Sequence, residues 1–433
     1  MTPAFDQGLA GLLPELKWRG MFHAASEGLE ARLATERQIT AYNGFDPSGP
    51  WLHIGHLVPI FGLIHLQRHG GRPIALVGGG TGMIGDPSGR SSERNLQSVE
   101  VIETNATSMR GQLEHFLYFD GPSAARMENN LRWLEPIRLL DFLRDVGKHF
   151  TVPYMLAKDS VQVRLEGGLS FTEFSYMLIQ AADYQHLHRE LGCELQMGGA
   201  DQWGNITAGL ELIRRTSESR SDGLPNAYAL AYPLLLAPSG AKFGKSESGD
   251  SVWLHPEGTS PYAFYQHWLN TDDRDTSVYL RWFTLFEPAR IEALEAAIAA
   301  DPGKREAQRE LAFDLTARVH GAVAAKQAVA ASEAAFSGGR IDDPAVFETL
   351  HRETGGFEID AADAGQDLVE LLVGAGIFAS RGEARRMIQN GGLTVNDERV
   401  TDAAAAVPPL VAGEWLVVRV GKRKLHIGRR RGG

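Results

Sequence analysis

Residues Pro73–Val77 form an unbroken apolar run that leads straight into Gly78-Gly79-Gly80-Thr81-Gly82. A run of that length without polar alternation reads as a strand buried on both faces of a parallel sheet. The glycines allow a tight turn where the chain leaves the sheet. Upstream, Ile39–Tyr42 reads as a short strand, followed by a turn at residues 44–47. A helix then opens near Leu52 and His53 and runs to Gly70 through Leu57, Val58, Ile60, Phe61, Leu63, Ile64 and Leu66. Pro59 falls near its start, where a missing N–H costs no intrahelical bond. Strand, helix and strand in close succession make a βαβ unit. The region therefore predicts a doubly wound α/β domain whose ligands sit at the carboxyl ends of the strands.

The rest of the chain reads as follows. Gly11–Arg37 is expected to be helix, and residues 110–190 alternate helical segments with few turns. Thr259–Phe336 is alanine-rich and strongly helical, with Gly338-Gly339 ending it. Residues 337–365 carry Asp342-Asp343-Pro344 and Gly355-Gly356 and suit a linker. Ser380 and Glu383 are spaced as a capping box, Asn390-Gly391-Gly392 closes the helix they open, and short strands follow near Leu393–Val395, Trp415–Val420 and Lys424–Ile427.

Composition removes several classes. With 43% hydrophobic and 22% charged residues, the chain has the apolar material for a sizeable core. Its single cysteine, Cys193, excludes a disulfide framework and any cysteine-built zinc or iron–sulfur site, and it fits a reducing, cytoplasmic compartment. The first 20 residues carry Asp6, Glu15, Lys17 and Arg19, so they are expected to be neither a signal peptide nor a membrane span. The net charge of −11 is uneven: residues 366–433 carry +4 and the remainder −15. A basic end on an acidic body suits one small domain that meets a polyanion, although a run such as Lys422, Arg423 and Lys424 also suits a solvated terminus.

Four constellations carry chemistry. His53-Ile54-Gly55-His56 puts two histidines on one face of a helix start, where amide groups and the helix dipole favour phosphate. The same spacing also fits plain surface or half of a zinc site, for which nothing nearby supplies further ligands. Lys242-Phe243-Gly244-Lys245-Ser246 sets two lysines in a loop of small residues, suited to polyphosphate or to an exposed turn. On the helix Phe171–Leu187, Tyr176, Gln180 and Asp183 share one face, either as a solvated stripe or as hydrogen-bonding groups for a small polar ligand. Gln196–Asn205 follows a strand with two glycines, then Asp201 and Gln202, which suits a ribose or carboxyl contact or an ordinary glycine turn.

Taken together these segments closely resemble the bacterial tyrosyl-tRNA synthetases, class I aminoacyl-tRNA synthetases. The resemblance covers most of residues 15–336 and again 366–428, and is most specific in Tyr42–Leu57, Arg72–Gly89, Ser170–Gln180 and Gly198–Leu210. His53–His56 matches the HIGH signature intact, and Lys242–Ser246 resembles the KMSKS signature. The tail resembles an S4-type RNA-binding module. The resemblance implies a Rossmann-like doubly wound catalytic domain at 1–250 with an inserted helical segment at about 115–195. An α-helical anticodon-binding domain at 251–336, a linker at 337–365 and a small α+β S4-like domain at 366–433 would follow.

The resemblance also implies roles. Tyr42 and Asp183 would hydrogen-bond a substrate phenol; Tyr176, Gln180 and Asp86 would hold its ammonium, and Gln202 would lie near its carboxylate. Asp46, Ser48, His53, Gly55, His56, Gly199 and Asp201 would surround ATP, Asp46 also on the ammonium side and Asp201 at the ribose. Lys242 and Lys245, with Arg90 and Arg94, would stabilise departing pyrophosphate. Arg385, Arg386, Lys422, Arg423 and Lys424 would contact RNA. The expected partners are L-tyrosine, ATP brought in as its Mg2+ complex, tRNA(Tyr) and a second copy of the chain, with Phe171 near the two-fold axis; no protein-held metal and no membrane are expected. Asn43, Pro59 and Arg90 depart from the residues common in relatives, all on the nucleotide side. Two rival readings are a synthetase of the tryptophanyl type, in whose pocket a phenol-binding pair has no purpose, and a non-catalytic RNA-binding protein on the same scaffold.

Overall fold

The apolar run at residues 73–77 lies inside a sheet, paired on both edges as its composition requires. The computed structural model describes residues 8–47, 49–85, 98–165, 168–217, 225–235, 251–337, 341, 343–360, 365–421 and 424–431. They fall into two compact units, Met1–Gly258 with Thr271–Leu311, and Thr259–Asn270 with Ala312–Gly433. In the first unit β1 (Ala24–Ala25), β2 (Thr40–Phe45), β3 (Arg72–Val77), β4 (Arg126–Asn129), β5 (Cys193–Gly199) and β6 (Tyr228–Tyr232) form one sheet, ordered β1-β6-β5-β2-β3-β4. β6, β5, β2, β3 and β4 run parallel, and β1 pairs antiparallel with β6 at the edge. The chain builds outward from β2 to β4, then returns to lay β5 on the other side of β2. Strand order thus reverses between β2 and β5, and a crevice forms at their carboxyl ends.

Two helices border that crevice. The segment Ile54–His56 is a single 3-10 turn that continues into the α-helix Leu57–Arg68, with Pro59 in its first turn. This helix is apolar almost all round, and Leu57, Ile60, Phe61, Leu63, Ile64 and Leu66 are all buried, so its composition matches a helix covered on most sides. The long helix Phe171–Leu191 starts at Ser170, whose hydroxyl accepts from the Glu173 amide, and stops at Gly192 in the left-handed region.

The expected helix over Gly11–Arg37 is broken instead. Helix Leu12–Arg19 ends at Gly20 with φ +77°, the chain turns into β1, and a short helix follows at Leu29–Leu33. Arg19 accounts for the stop. Its guanidinium is buried, meets Glu15 at 2.7 Å, and donates to the carbonyls of Arg281, Thr284 and Phe286 at 2.9, 3.0 and 3.1 Å. Glu15 also meets His69 Nε2 at 2.7 Å and lies 3.4 Å from His65, whose two ring nitrogens have no hydrogen-bond partner. This buried cluster ties the first helix to the back of helix Leu57–Arg68 and to helix Asp273–Phe283, where Phe61 and Phe283 also meet edge to face.

The region from Thr259 is helical as expected, in the helices Pro261–Leu269, Asp273–Phe283, Pro288–Ala300, Glu306–His320 and Ala322–Ser337. It does not stand as one separate body, because residues 271–311 group with the first unit and 259–270 with the second. The stretch 337–365 also differs from a linker. Helix Pro344–Glu353 buries Val346, Phe347 and Leu350, and β7 (Phe357–Ile359) joins a sheet. That sheet contains β8 (Leu393–Val395), β9 (Glu398–Arg399), β10 (Trp415–Val420) and β11 (Lys424–Arg430), ordered β7-β11-β10-β8-β9.

Phe347 stacks on Trp415 with rings 5.4 Å apart, and Ala331, Val417, Leu425 and Ile427 share their core. Arg419 Nη2 donates to the Ala334 carbonyl at 2.7 Å, which fastens β10 to the end of helix Ala322–Ser337. Composition misled here because the glycines and aspartates bound a short helix rather than a free tether. The cap is formed in part: Ser380 Oγ accepts from the Glu383 amide at 3.3 Å, but Glu383 Oε2 accepts from the amide of Ala379, one residue before the cap, at 3.0 Å. Arg385, Arg386 and Lys424 are exposed, whereas Lys422 and Arg423 lie outside the described residues.

The Glu15 cluster makes the first unit acid-sensitive. Burial opposes the Glu15 charge, but the His69 hydrogen bond and the Arg19 charge outweigh it and hold the carboxyl well below its ordinary 4.5. Burial and the Arg19 charge hold His65 neutral, well below its ordinary 6.5. In both cases the unfolded chain takes up protons first, so stability falls as pH drops below 6.5 and falls again below 4.5. Urea titrations at stepped pH are expected to show both declines. Glu15→Gln, which leaves Arg19 buried without its counter-charge, is expected to cost about 3–5 kcal/mol at pH 7.

Candidate active site

Alternation along β2 turns Tyr42 to one face of the sheet and Asn43 to the other. Tyr42 is buried against Tyr184, with ring centroids 5.4 Å apart, and its hydroxyl has no hydrogen-bond partner. A buried phenol without a partner is costly, which marks it as a group awaiting a ligand. Burial, then the nearby Asp183 charge, pushes its pKa well above the ordinary 10.0, so it stays neutral.

Asp183 comes from helix Phe171–Leu191 and is 1% exposed. Its two oxygens accept from Asn130 Nδ2 and Trp133 Nε1, each at 2.8 Å. Burial lifts the carboxyl up to about 7, against the pull of those two bonds, and the Asp46 charge adds to the rise. Asn130 is itself fixed, with its Oδ1 accepting from the Gly80 amide at 2.7 Å and its Nδ2 also reaching Thr81 Oγ1 at 2.9 Å. Trp133 lies flat on His186, with centroids 4.3 Å apart. The glycine-rich exit of β3, the residue after β4 and the long helix therefore converge on one carboxylate.

Tyr176 is buried on the same helix face, and Gln180 is half-buried, its Oε1 accepting from Asn205 Nδ2 at 3.1 Å. Beyond β5, Asp201 and Gln202 occupy a single turn, Ala200–Gln202, at the carboxyl end of the strand. The backbone there comes close to its neighbours: a Cβ on Gly199 would sit 2.5 Å from Asp201 Oδ1. Asp46 stands at the end of β2 beside the turn after β3, where a Cβ on Gly78 would lie 2.8 Å from its Oδ1.

The paired histidines have a defined protonation pattern. The His53 amide donates to His56 Nδ1 and the Gly55 amide donates to His53 Nδ1, both at 3.0 Å. Each Nδ1 is thus an acceptor, and each ring carries its proton on Nε2. The rings lie 4.0 Å apart at a helix opening, a donor pair suited to phosphate oxygens. Two backbone bonds, Ile54 N to Val252 O at 2.9 Å and Leu254 N to Leu52 O at 2.7 Å, pin this segment in place.

The structure thus gathers Tyr42, Asp46, Asp183, Tyr176 and Gln180 around the β2–β5 crevice, with His53 and His56 at the opening of the adjoining helix. Ser48, Asp86, Arg90, Arg94, Lys242 and Lys245 lie outside the described residues. Sequence reasoning missed Asn130, Trp133 and Thr81. The available signal was slight: an Asn129-Asn130 pair and a tryptophan after a short polar strand. Among the described residues no cluster of three metal-ligating side chains occurs.

Comparison with known proteins agrees with this geometry. The family described as tRNA synthetases class I (W and Y) matches residues 34–337, and a tyrosine–tRNA ligase SYY-like C-terminal domain matches residues 349–427. The chain is 51% identical to the tyrosine–tRNA ligase of Anaeromyxobacter dehalogenans, over 96% of this chain and 98% of that one. It is 48% identical to that of Geobacillus stearothermophilus, over 96% and 99%. Among solved structures, a C-terminally truncated mitochondrial tyrosyl-tRNA synthetase of Coccidioides posadasii superposes with a TM-score of 0.63 at 30% identity, covering 75% of this chain and 91% of that one.

Because the Trp133 bond pulls the Asp183 proton affinity down, its loss acts in the opposite direction. Trp133→Phe is expected to raise the Asp183 titration midpoint above about 7, read from the carboxyl carbon signal of isotopically labelled aspartate.

Proposed function

The chain belongs to the class I tRNA synthetases that serve tryptophan and tyrosine, and we propose that it is a tyrosine–tRNA ligase whose residues divide the work as follows. A carboxylate oxygen of L-tyrosine attacks the α-phosphorus of ATP, and the bond to pyrophosphate breaks to leave tyrosyl-adenylate. A ribose hydroxyl at the 3′ end of tRNA(Tyr) then attacks the acyl carbon, and AMP leaves. The first nucleophile is already ionised, so no general base is needed. The protein's task is to align the reactants and to stabilise charge on phosphate.

The observation that carries the choice of amino acid is the unpartnered Tyr42 hydroxyl beside the buried Asp183 carboxylate. A phenol between them donates its proton to Asp183 and pairs with Tyr42. Phenylalanine leaves the Tyr42 hydroxyl buried without a partner and gives the Asp183 carboxylate no further donor, and an indole offers no group of that shape. Tyr176, Gln180 and Asp86 hold the ammonium, and Gln202 the carboxylate side. His53 and His56 donate Nε2–H to the phosphates, with Asp46, Ser48, Gly55, Gly199 and Asp201 around the nucleotide. ATP arrives with Mg2+ as a substrate complex. Lys242, Lys245, Arg90 and Arg94 receive the leaving pyrophosphate. Both signature lysines stand in the sequence, which favours an active enzyme over a retired scaffold.

The assembly is a homodimer in this reading. Leu139, Leu140, Val163 and Phe171 are each 71–78% exposed, apolar side chains that a second copy could cover. The helical region and the basic tail take the tRNA, with Arg385, Arg386, Lys422, Arg423 and Lys424 on its phosphates. We place the enzyme in the cytoplasm, in keeping with its one buried cysteine; among the described residues no helix is long and apolar enough to cross a membrane.

Tyrosine-dependent exchange of labelled pyrophosphate into ATP tests the reading, and its absence would refute it. Asp183 must be ionised to accept from the phenol, so tyrosine affinity is expected to rise as pH climbs through about 7. Asp183→Asn is expected to flatten that profile and to weaken rejection of phenylalanine. For the tail, Arg385→Ala with Arg386→Ala is expected to raise the KM for tRNA and to make the salt dependence of binding shallower by about two charges, while pyrophosphate exchange holds its rate.

A further inference from the structure

Asn43 is a polar side chain on β2 that is only 1% exposed. Its Nδ2 donates to the Pro59 carbonyl at 3.3 Å and to the Tyr232 hydroxyl at 3.2 Å. The three residues belong to three elements: Asn43 to β2, Pro59 to the first turn of helix Leu57–Arg68, and Tyr232 to the end of β6. Tyr232 is fully buried and runs beneath that helix, where a Cβ on Gly62 would overlap its hydroxyl. Glycine at 62 is therefore what allows the phenol to sit there. Around Pro59 the neighbouring residues Leu57, Ile60, Phe61, Leu63 and Ile64 are apolar, while the polar residues His65, Gln67 and Arg68 lie toward the far end, and apolar packing alone is tolerant of small shifts along the helix axis. Directional bonds to a buried amide are not.

Tyr42 and Asn43 are consecutive on β2 and address opposite faces of the sheet. Tyr42 packs against helix Phe171–Leu191, through Tyr184 and Leu187, on the amino-acid side. Asn43 grips the helix that opens with His53 and His56, on the nucleotide side. One dipeptide thus touches both halves of the site, and its amide acts on the helix beside the backbone bonds to residues 252–254. We propose that Asn43, with Tyr232, is a positioning residue for adenylate formation: it fixes the first turn of the histidine helix against the sheet, and so places His53 and His56 relative to the amino acid held at Tyr42. The inference rests on the tyrosine–tRNA ligase reading, and it assigns Asn43 to the helix rather than to the nucleotide.

The test measures single-turnover adenylate formation at saturating tyrosine and ATP, equilibrium binding of tyrosine, and thermal melting. Variants are Asn43→Ala, Tyr232→Phe and the pair. Asn43→Ala is expected to slow adenylate formation by about tenfold or more while the tyrosine Kd stays within about twofold. Tyr232→Phe removes one acceptor and keeps the ring, and is expected to slow it by about threefold. The pair is expected to be no slower than Asn43→Ala alone, because both act through one amide. A lowered melting point with an unchanged rate would overturn the proposal and leave Asn43 a packing residue. A raised KM for ATP with an unchanged saturating rate would overturn it in favour of a direct nucleotide contact. Absence of tyrosine-dependent exchange in the parent protein would instead refute the underlying reading, so the two failures are distinct.

Discussion

A carboxylate withdrawn from water governs the amino-acid half of this molecule. Asp183 has almost no solvent to stabilise its charge, and the protein replaces that solvent with an amide and an indole N–H. Those two donors come from Asn130 and Trp133, just past β4, at the far edge of the sheet from β5. Their positions are set in turn by the glycine turn after β3, through Gly80 and Thr81. Sheet order, turn geometry and the register of the long helix must all be right before one side chain can read a phenol. The same support makes the pocket selective, since groups fixed this rigidly cannot relax around a ligand that leaves them unpaired.

The legible parts of the sequence are those whose cause is local. The apolar run at 73–77, the proline in a first helical turn, the helix start capped by Ser380 and the helical face bearing Tyr176, Gln180 and Asp183 all obey short-range rules and appear as expected. Tyr42 and Asp183 were proposed through their motifs, and the fold brings them to one crevice. What stayed hidden depends on distant partners. Asn130 and Trp133 matter only because a helix some fifty residues later supplies the acceptor. The helix after Leu12 stops where Arg19 finds carbonyls more than 260 residues away. The supposed linker is packed because Phe347 finds Trp415.

The two halves of the crevice are held differently. The amino-acid side rests on a charged hydrogen-bond network, whereas the nucleotide side rests on a helix whose body is apolar and whose opening is fixed by backbone bonds to residues 252–254. At its other end that helix meets the Glu15 cluster, so a single rigid rod joins the histidine pair to the buried ions behind it. Displacement at either end of such a rod is felt at the other.

The small sheet of the second unit is joined through an interior strand. β11 lies between β7 and β10, in parallel pairing with the first and antiparallel with the second. Damage to β11 would therefore cut β7 loose from β10, β8 and β9, and would expose two unpaired edges where loss of β9 would merely shorten the sheet.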